Sequence, residues 1–214
     1  MGTSKALVIH SEGLKLIAIL FMMIDHIGFL FYPDYPIFRI IGRVAFPLFV
    51  YQIVIGFDFT RNKKKMLYRL LFFMMLSLIP YWWMSDTWTI NIFGTLSIGF
   101  CAIWMIQKKK YWITFLLICI PLFIPIDYEW YGVLIIILVY CLRAHFVLMI
   151  MSLSLITFIY SKQIDAMIQM YAIIGFLIAP LLTKIDIHFK MHKYFHYAFY
   201  PVHIIILTLL ANMW

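Results

Sequence analysis

Charged residues are scarce in this chain of 214 residues, of which only 12% are Asp, Glu, Lys or Arg. A soluble globular domain carries about a quarter charged residues and about half apolar ones, whereas 65% of this chain is hydrophobic. The shortage of charge excludes an ordinary soluble domain. We therefore predict an all-α fold, a polytopic bundle of transmembrane helices that forms one domain over residues 1–214.

Cysteine is also rare. Cys101, Cys119 and Cys141 are dispersed in apolar runs and form no CxxC pair, which argues against a disulfide framework and a structural zinc site. No small-residue cleavage site follows the first apolar run, so we expect that run to remain as the first helix.

Acidic residues number nine against 17 basic ones, which gives a formal net charge of +8. No separate basic domain is present to hold a nucleic acid, and we expect no such partner. In a membrane protein, Lys and Arg collect in cytoplasmic loops. A cytoplasmic N-terminus and an external C-terminus place every basic residue except Arg39, Arg43 and Lys162 on the inner side.

A span needs about 20 mostly apolar residues, and we count about nine apolar segments as candidates. The sixth is short, and the fourth opens with Asn91 and contains Gly94 and Gly99, as a broken or re-entrant segment would. The segments are 14–32, 37–57, 67–84, 90–106, 112–126, 131–142, 146–160, 167–183 and 194–213.

The first segment carries Asp25 and His26 side by side. An acidic residue at the centre of a span costs about 2.5–3.5 kcal/mol, and ionisable residues at such depth are usually functional. The alternative is a polar pair that packs against a neighbouring helix. Adjacent helical residues point about 100° apart, so we expect Asp25 to serve a different imidazole, or a cation, rather than His26.

Arg39 and Arg43 open the second segment and are four residues apart, which places both on one helical face. Either they bind an anionic group through their forked donors, or they extend to the lipid headgroups. Gly42 allows another backbone to approach, and Pro47 predicts a bend or interruption of the helix.

The last segment carries His192, His196 and His203 roughly on one face, with His203 near the depth of His26. His188 would extend the run to a stripe able to hold a metal ion. However, His188 and His192 fall in a loop with lysines, where solvated side chains are usual, and we expect no metal.

Eight motifs follow one another from residue 14 to residue 203. They read LKLIAILFMMIDHIG, RIIGRVAFPLF, GFDFTRN, YRLLFF, SLIP, NIFGTLSIG, DYEWYGV and FYPVH. Together they resemble the TraX family of integral membrane proteins. The family's last motif usually continues with Leu, where Ile204 stands here.

The resemblance implies a membrane-embedded acetyltransferase in the bacterial cytoplasmic membrane. It would move an acetyl group from acetyl-CoA to an amine or hydroxyl of a peptide, lipoprotein or small-molecule acceptor, in contact with membrane lipids. No Ser or Cys stands beside a His as a covalent nucleophile would, so we favour direct transfer. The competing interpretation is a proton-coupled transporter, with Asp25, His26, Arg43 and His203 as a relay.

For acetyl transfer, we predict His26 as the general base, with His203 as the alternative or the partner. Asp25 would orient an imidazole or hold the acceptor ammonium. Arg39 and Arg43 would bind an anionic part of the donor or acceptor, or stabilise the oxyanion. The candidates for substrate binding are Arg39, Arg43, Asn91, Asp127, Tyr131 and Tyr200, and those for the phosphates of the donor are Lys108, Lys109, Lys110 and Arg69.

Overall fold

The computed structural model describes the backbone of residues 3–185, 192 and 194–213, and the side chains of these residues from residue 12 onward. The regular structure within these ranges is helical, as predicted, and one isolated parallel β-bridge joins Ile90 and Ile126. The helices are α1 (Thr3–Phe31), α2 (Pro36–Gly42), α3 (Ala45–Phe59), α4 (Lys63–Ser85), α5 (Ile92–Gln107), α6 (Tyr111–Cys119), α7 (Glu129–Leu142), α8 (Phe146–Gln163), α9 (Ala172–Leu182) and α10 (Phe195–Asn212), with short 3-10 helices at Ile120–Leu122 and Met167–Tyr171.

Each of the nine apolar segments predicted from the sequence contains a helix. Five helical segments are long and apolar enough to cross a membrane, namely Glu12–Phe31, Pro36–Phe59, Lys63–Ser85, Phe146–Gln163 and Phe195–Asn212. Four shorter ones lie at Ile92–Gln107, Tyr111–Leu122, Glu129–Leu142 and Met167–Leu182. The protein is thus a helical membrane protein, while the count of nine spans and the orientation of the termini stay predictions.

The chain divides into two compact units. The first unit combines Met1–Gln52 with Leu153–Trp214, and the second is the continuous stretch Ile53–Ser152. The first unit is therefore built from both ends of the sequence, and the second from its middle. The single-domain organisation stays a prediction.

In the first unit, α1 packs against α2, α9 and α10. The second apolar segment is interrupted as Pro47 predicts, because α2 ends at Gly42 and α3 begins at Ala45. Pro47 has no N–H to donate to the carbonyl four residues earlier, and its ring crowds that carbonyl. Gly175 of α9 lies against this break, where a Cβ atom would be 2.8 Å from the Val44 carbonyl oxygen.

In the second unit, α5 is the central helix and packs against α4, α6 and α7. It is an unbroken helix from Ile92 to Gln107 rather than a broken segment, and a re-entrant position in the membrane stays a prediction. Gly99 allows close contact with α7, because a Cβ atom there would overlap the side chain of Ile136. A helix that is apolar on all sides belongs in such a buried position.

The two ends of the second unit differ in charge. At one end, which we call the basic end, three cations lie over aromatic rings, with 4.4 Å from Lys63 to Phe57, 4.8 Å from Lys108 to Trp104 and 4.7 Å from Arg143 to Tyr140. The rings of Phe57, Phe100, Trp104 and Tyr140 contact one another in series. The other end carries Asp86, Asp127 and Glu129. The basic end also carries Asp58, which pairs with Arg143, and which end faces the cytoplasm stays a prediction.

Candidate active site

His26 of α1 and His203 of α10 form a hydrogen-bonded pair, which we call the histidine pair. The distance from His26 Nδ1 to His203 Nε2 is 2.7 Å. The ring centres are 4.9 Å apart and the planes differ by 10°. With the nitrogen atoms so close, these values mean that the rings meet edge to edge in nearly one plane. The sequence placed these residues at similar depth, and the structure brings them into contact.

His203 is anchored by the preceding turn of its own helix. Its Nδ1 atom lies 2.7 Å from the carbonyl oxygen of Phe199, and the Phe199 ring is parallel to the imidazole at 5.0 Å. Tyr200 meets both histidines edge-on, with ring centres 6.2 Å from His26 and 5.8 Å from His203. His203 is only 4% exposed, so the aromatic neighbours hold its ring in place.

Asp25 accepts hydrogen bonds from both arginines that the sequence singled out. Arg43 Nη2 donates to Asp25 Oδ1 at 2.9 Å and to Oδ2 at 3.0 Å. Arg39 Nη1 donates to Oδ2 at 2.6 Å and to the Asp25 backbone carbonyl at 3.2 Å. We call these three residues the arginine–aspartate cluster. Asp25 thus serves cations rather than His26, in agreement with the geometric prediction from the sequence.

Gly42 makes this cluster possible. A Cβ atom at Gly42 would overlap the Asp25 carboxylate, so only glycine lets α2 come this close to α1 at that level. The sequence predicted that another helix would approach closely at Gly42. In the structure, this close approach gives the Asp25 carboxylate room between the two guanidinium groups.

The cluster carries one negative and two positive charges, which leaves a net positive charge beside the histidine pair. The Asp25 and Arg43 side chains are each 13% exposed, and that of Arg39 is 29% exposed. Charge-assisted hydrogen bonds of this kind are strong where water is scarce. The site is consequently suited to an anionic group or to an oxygen that gains negative charge.

Two residues of the site escaped the sequence analysis. Gln169, in the 3-10 helix before α9, is 2% exposed and accepts a hydrogen bond from Arg43 Nη1 at 3.2 Å. A single Gln in an apolar run carries no distinctive signal. Phe199 contributes through its backbone carbonyl, and the only sequence signal is its position four residues before His203.

Three other predicted substrate-binding residues belong to the second unit. Asn91 caps α5 by accepting the Phe93 N–H at 3.1 Å, and its amide donates to the Met74 carbonyl at 2.9 Å. The backbone carbonyl of Asp127 accepts a hydrogen bond from the Thr95 hydroxyl. Tyr131 is fully buried in α7. Asn91 thus has a structural role as a helix cap. The roles of all three residues in substrate binding stay predictions.

The predicted phosphate-binding residues also lie in the second unit. Lys108, Lys109 and Lys110 are exposed in the turn between α5 and α6, and Arg69 is half-buried on α4. Of the histidines considered for a metal stripe, His192 is exposed and His188 lies outside the described residues. Among the side chains that the structure describes, no group of three or more potential metal ligands comes together.

Comparison with known proteins gives a family and two partial relatives. The family model described as TraX protein matches residues 10–211. A probable fimbrial assembly protein FimC, serogroup H1, of Dichelobacter nodosus is 43% identical over 75 residues, which are 33% of this chain and 31% of that protein. An uncharacterized protein of Rickettsia prowazekii (strain Madrid E) is 30% identical over 100 residues, 47% of this chain and 39% of that protein. The matches span about a third of the length of these curated relatives. No solved structure matches the chain.

Proposed function

Because the chain belongs to the TraX family, we propose that it is a membrane-embedded acetyltransferase of the bacterial cytoplasmic membrane. It transfers an acetyl group from acetyl-CoA to an amine, or a hydroxyl, of an acceptor at the membrane. The observation that carries this proposal is the histidine pair, with its 2.7 Å hydrogen bond beside a cluster of net positive charge. An acyl transfer needs a base and a donor to the developing oxyanion, and these two features supply both.

The reaction proceeds by direct attack. The lone pair of a neutral acceptor amine forms a bond with the thioester carbonyl carbon, while a histidine takes the proton of the amine. Arg39, the most exposed member of the arginine–aspartate cluster, binds an anionic part of a substrate or the oxyanion together with Arg43. The carbon–sulfur bond then breaks, and the CoA sulfur receives the proton from the histidine. Acetyl-CoA and amine thereby become CoA and amide.

The donor is expected at the basic end of the second unit. Exposed lysines in the turn 108–110, together with Arg69, would attract the phosphates of acetyl-CoA. The name of the Dichelobacter relative, a fimbrial assembly protein, favours a protein subunit or peptide as the acceptor. The amine of a lipoprotein or of a small molecule is the alternative acceptor, because it would react in the same way.

Purified protein in lipid nanodiscs tests the proposal. Binding of radiolabelled acetyl-CoA is measured by equilibrium dialysis, and transfer is followed as CoA release by mass spectrometry with a panel of peptides that have a free α-amine. His26→Ala should lower transfer by about 10²–10⁴-fold while donor binding is kept. His145→Ala is the matched control, because His145 is exposed in the turn before α8.

Two results would contradict the acetyltransferase. The first is no binding of acetyl-CoA by protein that is folded and monodisperse. The second is proton flux into liposomes that depends on His26 and His203, without any CoA release. That pattern would instead support the relay of a proton-coupled transporter.

A further inference from the structure

The histidine pair is asymmetric, and its hydrogen bonds determine which ring can meet a substrate. We propose, on the basis of the acetyl transfer inferred above, that His26 Nε2 is the atom that removes the acceptor proton. His203 is then a positioning residue that acts through His26. The backbone carbonyl of Phe199 determines which histidine has which role, because it fixes the tautomer of His203.

The backbone carbonyl oxygen of Phe199 can only accept a hydrogen bond. His203 Nδ1, at 2.7 Å from it, must therefore carry a proton. In the neutral imidazole one nitrogen is the donor and the other the acceptor, so His203 Nε2 has the lone pair. His26 Nδ1, at 2.7 Å from His203 Nε2, must then be the donor. His26 Nε2 is left as the unprotonated nitrogen of the pair.

The same contacts exclude the reverse assignment, in which His203 would be the base and His26 would position it. Both ring nitrogens of His203 are occupied, one by the Phe199 carbonyl and the other by His26. His203 is 4% exposed, and a flip of its ring would break both hydrogen bonds at once. A substrate amine therefore has no nitrogen of His203 to approach, whereas His26 still offers Nε2.

The surroundings keep the His26 ring in the required plane. The two imidazole planes differ by only 10°, so the His26 N–H points along the in-plane lone pair of His203. Phe199 packs parallel to His203, and Tyr200 packs edge-on against both rings. The charged groups beside His26 are Asp25 on α1, Arg39 on α2 and Arg43 directly after α2, and these are engaged with one another.

In the reaction, His26 Nε2 takes one proton from the acceptor nitrogen as the new carbon–nitrogen bond forms. His26 then holds protons on both nitrogens, and its Nδ1 proton remains hydrogen-bonded to His203. When the carbon–sulfur bond breaks, the Nε2 proton passes to the CoA sulfur. His203 neither gains nor loses a proton in this cycle, which is what distinguishes a positioning residue from a second base.

Nitrogen-15 NMR of histidine-labelled protein in nanodiscs tests the tautomers without any assay of activity. The chain has seven histidines, and single replacements assign the two signals of interest. We expect protons on Nδ1 of both rings and a scalar coupling across the hydrogen bond between His26 Nδ1 and His203 Nε2. A neutral His26 with its proton on Nε2 would overturn the assignment.

Activity tests the positioning role. His203→Leu should lower kcat about 10²-fold, as expected for a misplaced catalytic group, with the KM for acetyl-CoA unchanged. His203→Gln supplies an amide oxygen to accept the His26 proton, and it should restore most of the rate. In contrast, His26→Gln should lower kcat by about 10²–10⁴-fold.

Several results would count against the assignment. If His203→Gln is as inactive as His26→Gln, or if His203→Leu has the full rate, His203 does not act by positioning. If the unmodified protein transfers no acetyl group, the proposed function and the proton transfer assigned here both fall. The tautomers measured by NMR would still show whether the geometric reasoning holds, so the two failures are distinguishable.

Discussion

Replacing Asp25 by Asn removes the charge that two guanidinium groups share. The side chain keeps its size, but Arg39 and Arg43 are left facing each other with no counter-charge from Asp25. Removing one partner of a buried ion pair costs about 3–5 kcal/mol. Arg43 is as buried as Asp25, while Arg39 reaches more solvent. We therefore expect the free energy of unfolding to fall by an amount near the lower end of that range.

A double-mutant cycle separates this interaction from other effects of the substitution. The cycle combines Asp25→Asn with Arg43→Met and measures reversible unfolding in mixed micelles by the loss of helical circular dichroism. Coupling between residues in direct contact is about 0.5–3 kcal/mol. We expect a value of about 2–3 kcal/mol, since the Arg43 Nη2 atom lies within 3.0 Å of both carboxylate oxygens.

Asp58 and Arg143 provide the matched control. They form the same type of ion pair, but their side chains are 36% and 44% exposed. Exposed pairs contribute about 0.2–1 kcal/mol because water and salt screen them. If the coupling of Asp25 with Arg43 is no larger than that of Asp58 with Arg143, the arginine–aspartate cluster does not stabilise the fold as its burial implies.

Three further predictions concern packing, orientation and the donor. Gly42→Leu should reduce the yield of folded protein or abolish activity, because the new side chain would overlap Asp25; normal yield and activity would contradict the packing. With the native cysteines replaced, a cysteine at Asp86 should react with an impermeant reagent in intact cells and one at Lys64 should not, and the opposite pattern would reverse the orientation. Neutralising Lys108, Lys109 and Lys110 should raise the KM for acetyl-CoA more than it lowers kcat, and an unchanged KM would place phosphate recognition elsewhere.

Apolar runs and helix-breaking residues predicted the helical segments well, because residues close in sequence determine where a helix begins and ends. Pro47 places the break between α2 and α3 through its missing N–H. Asn91 stands directly before an apolar run, and the structure uses it as a helix cap. The glycines after Asn91 suggested a broken or re-entrant segment, and the structure has an unbroken helix there. Gly99 allows close contact of this helix with α7.

The candidate site was only partly predictable, because its partners come from distant parts of the chain. The spacing of Arg39 and Arg43 placed them on one face, and both do contact Asp25. The similar depth of His26 and His203 suggested that the two rings are close. It did not show that Nδ1 of His26 contacts Nε2 of His203. Gln169 was missed because its contact with Arg43 depends on how a 3-10 helix packs against α2. Tertiary packing, rather than local sequence preference, determines these contacts.

The hydrogen bond of the histidine pair joins residues 177 positions apart, and this separation has a consequence for biosynthesis. The first unit is formed from both ends of the chain, while the second is continuous. Chains are made from the N-terminus, and contacts that are close in sequence form first. The second unit can thus pack while the first still lacks α9 and α10. The histidine pair cannot form until His203 has been made, whereas Asp25, Arg39 and Arg43 are all present early in synthesis.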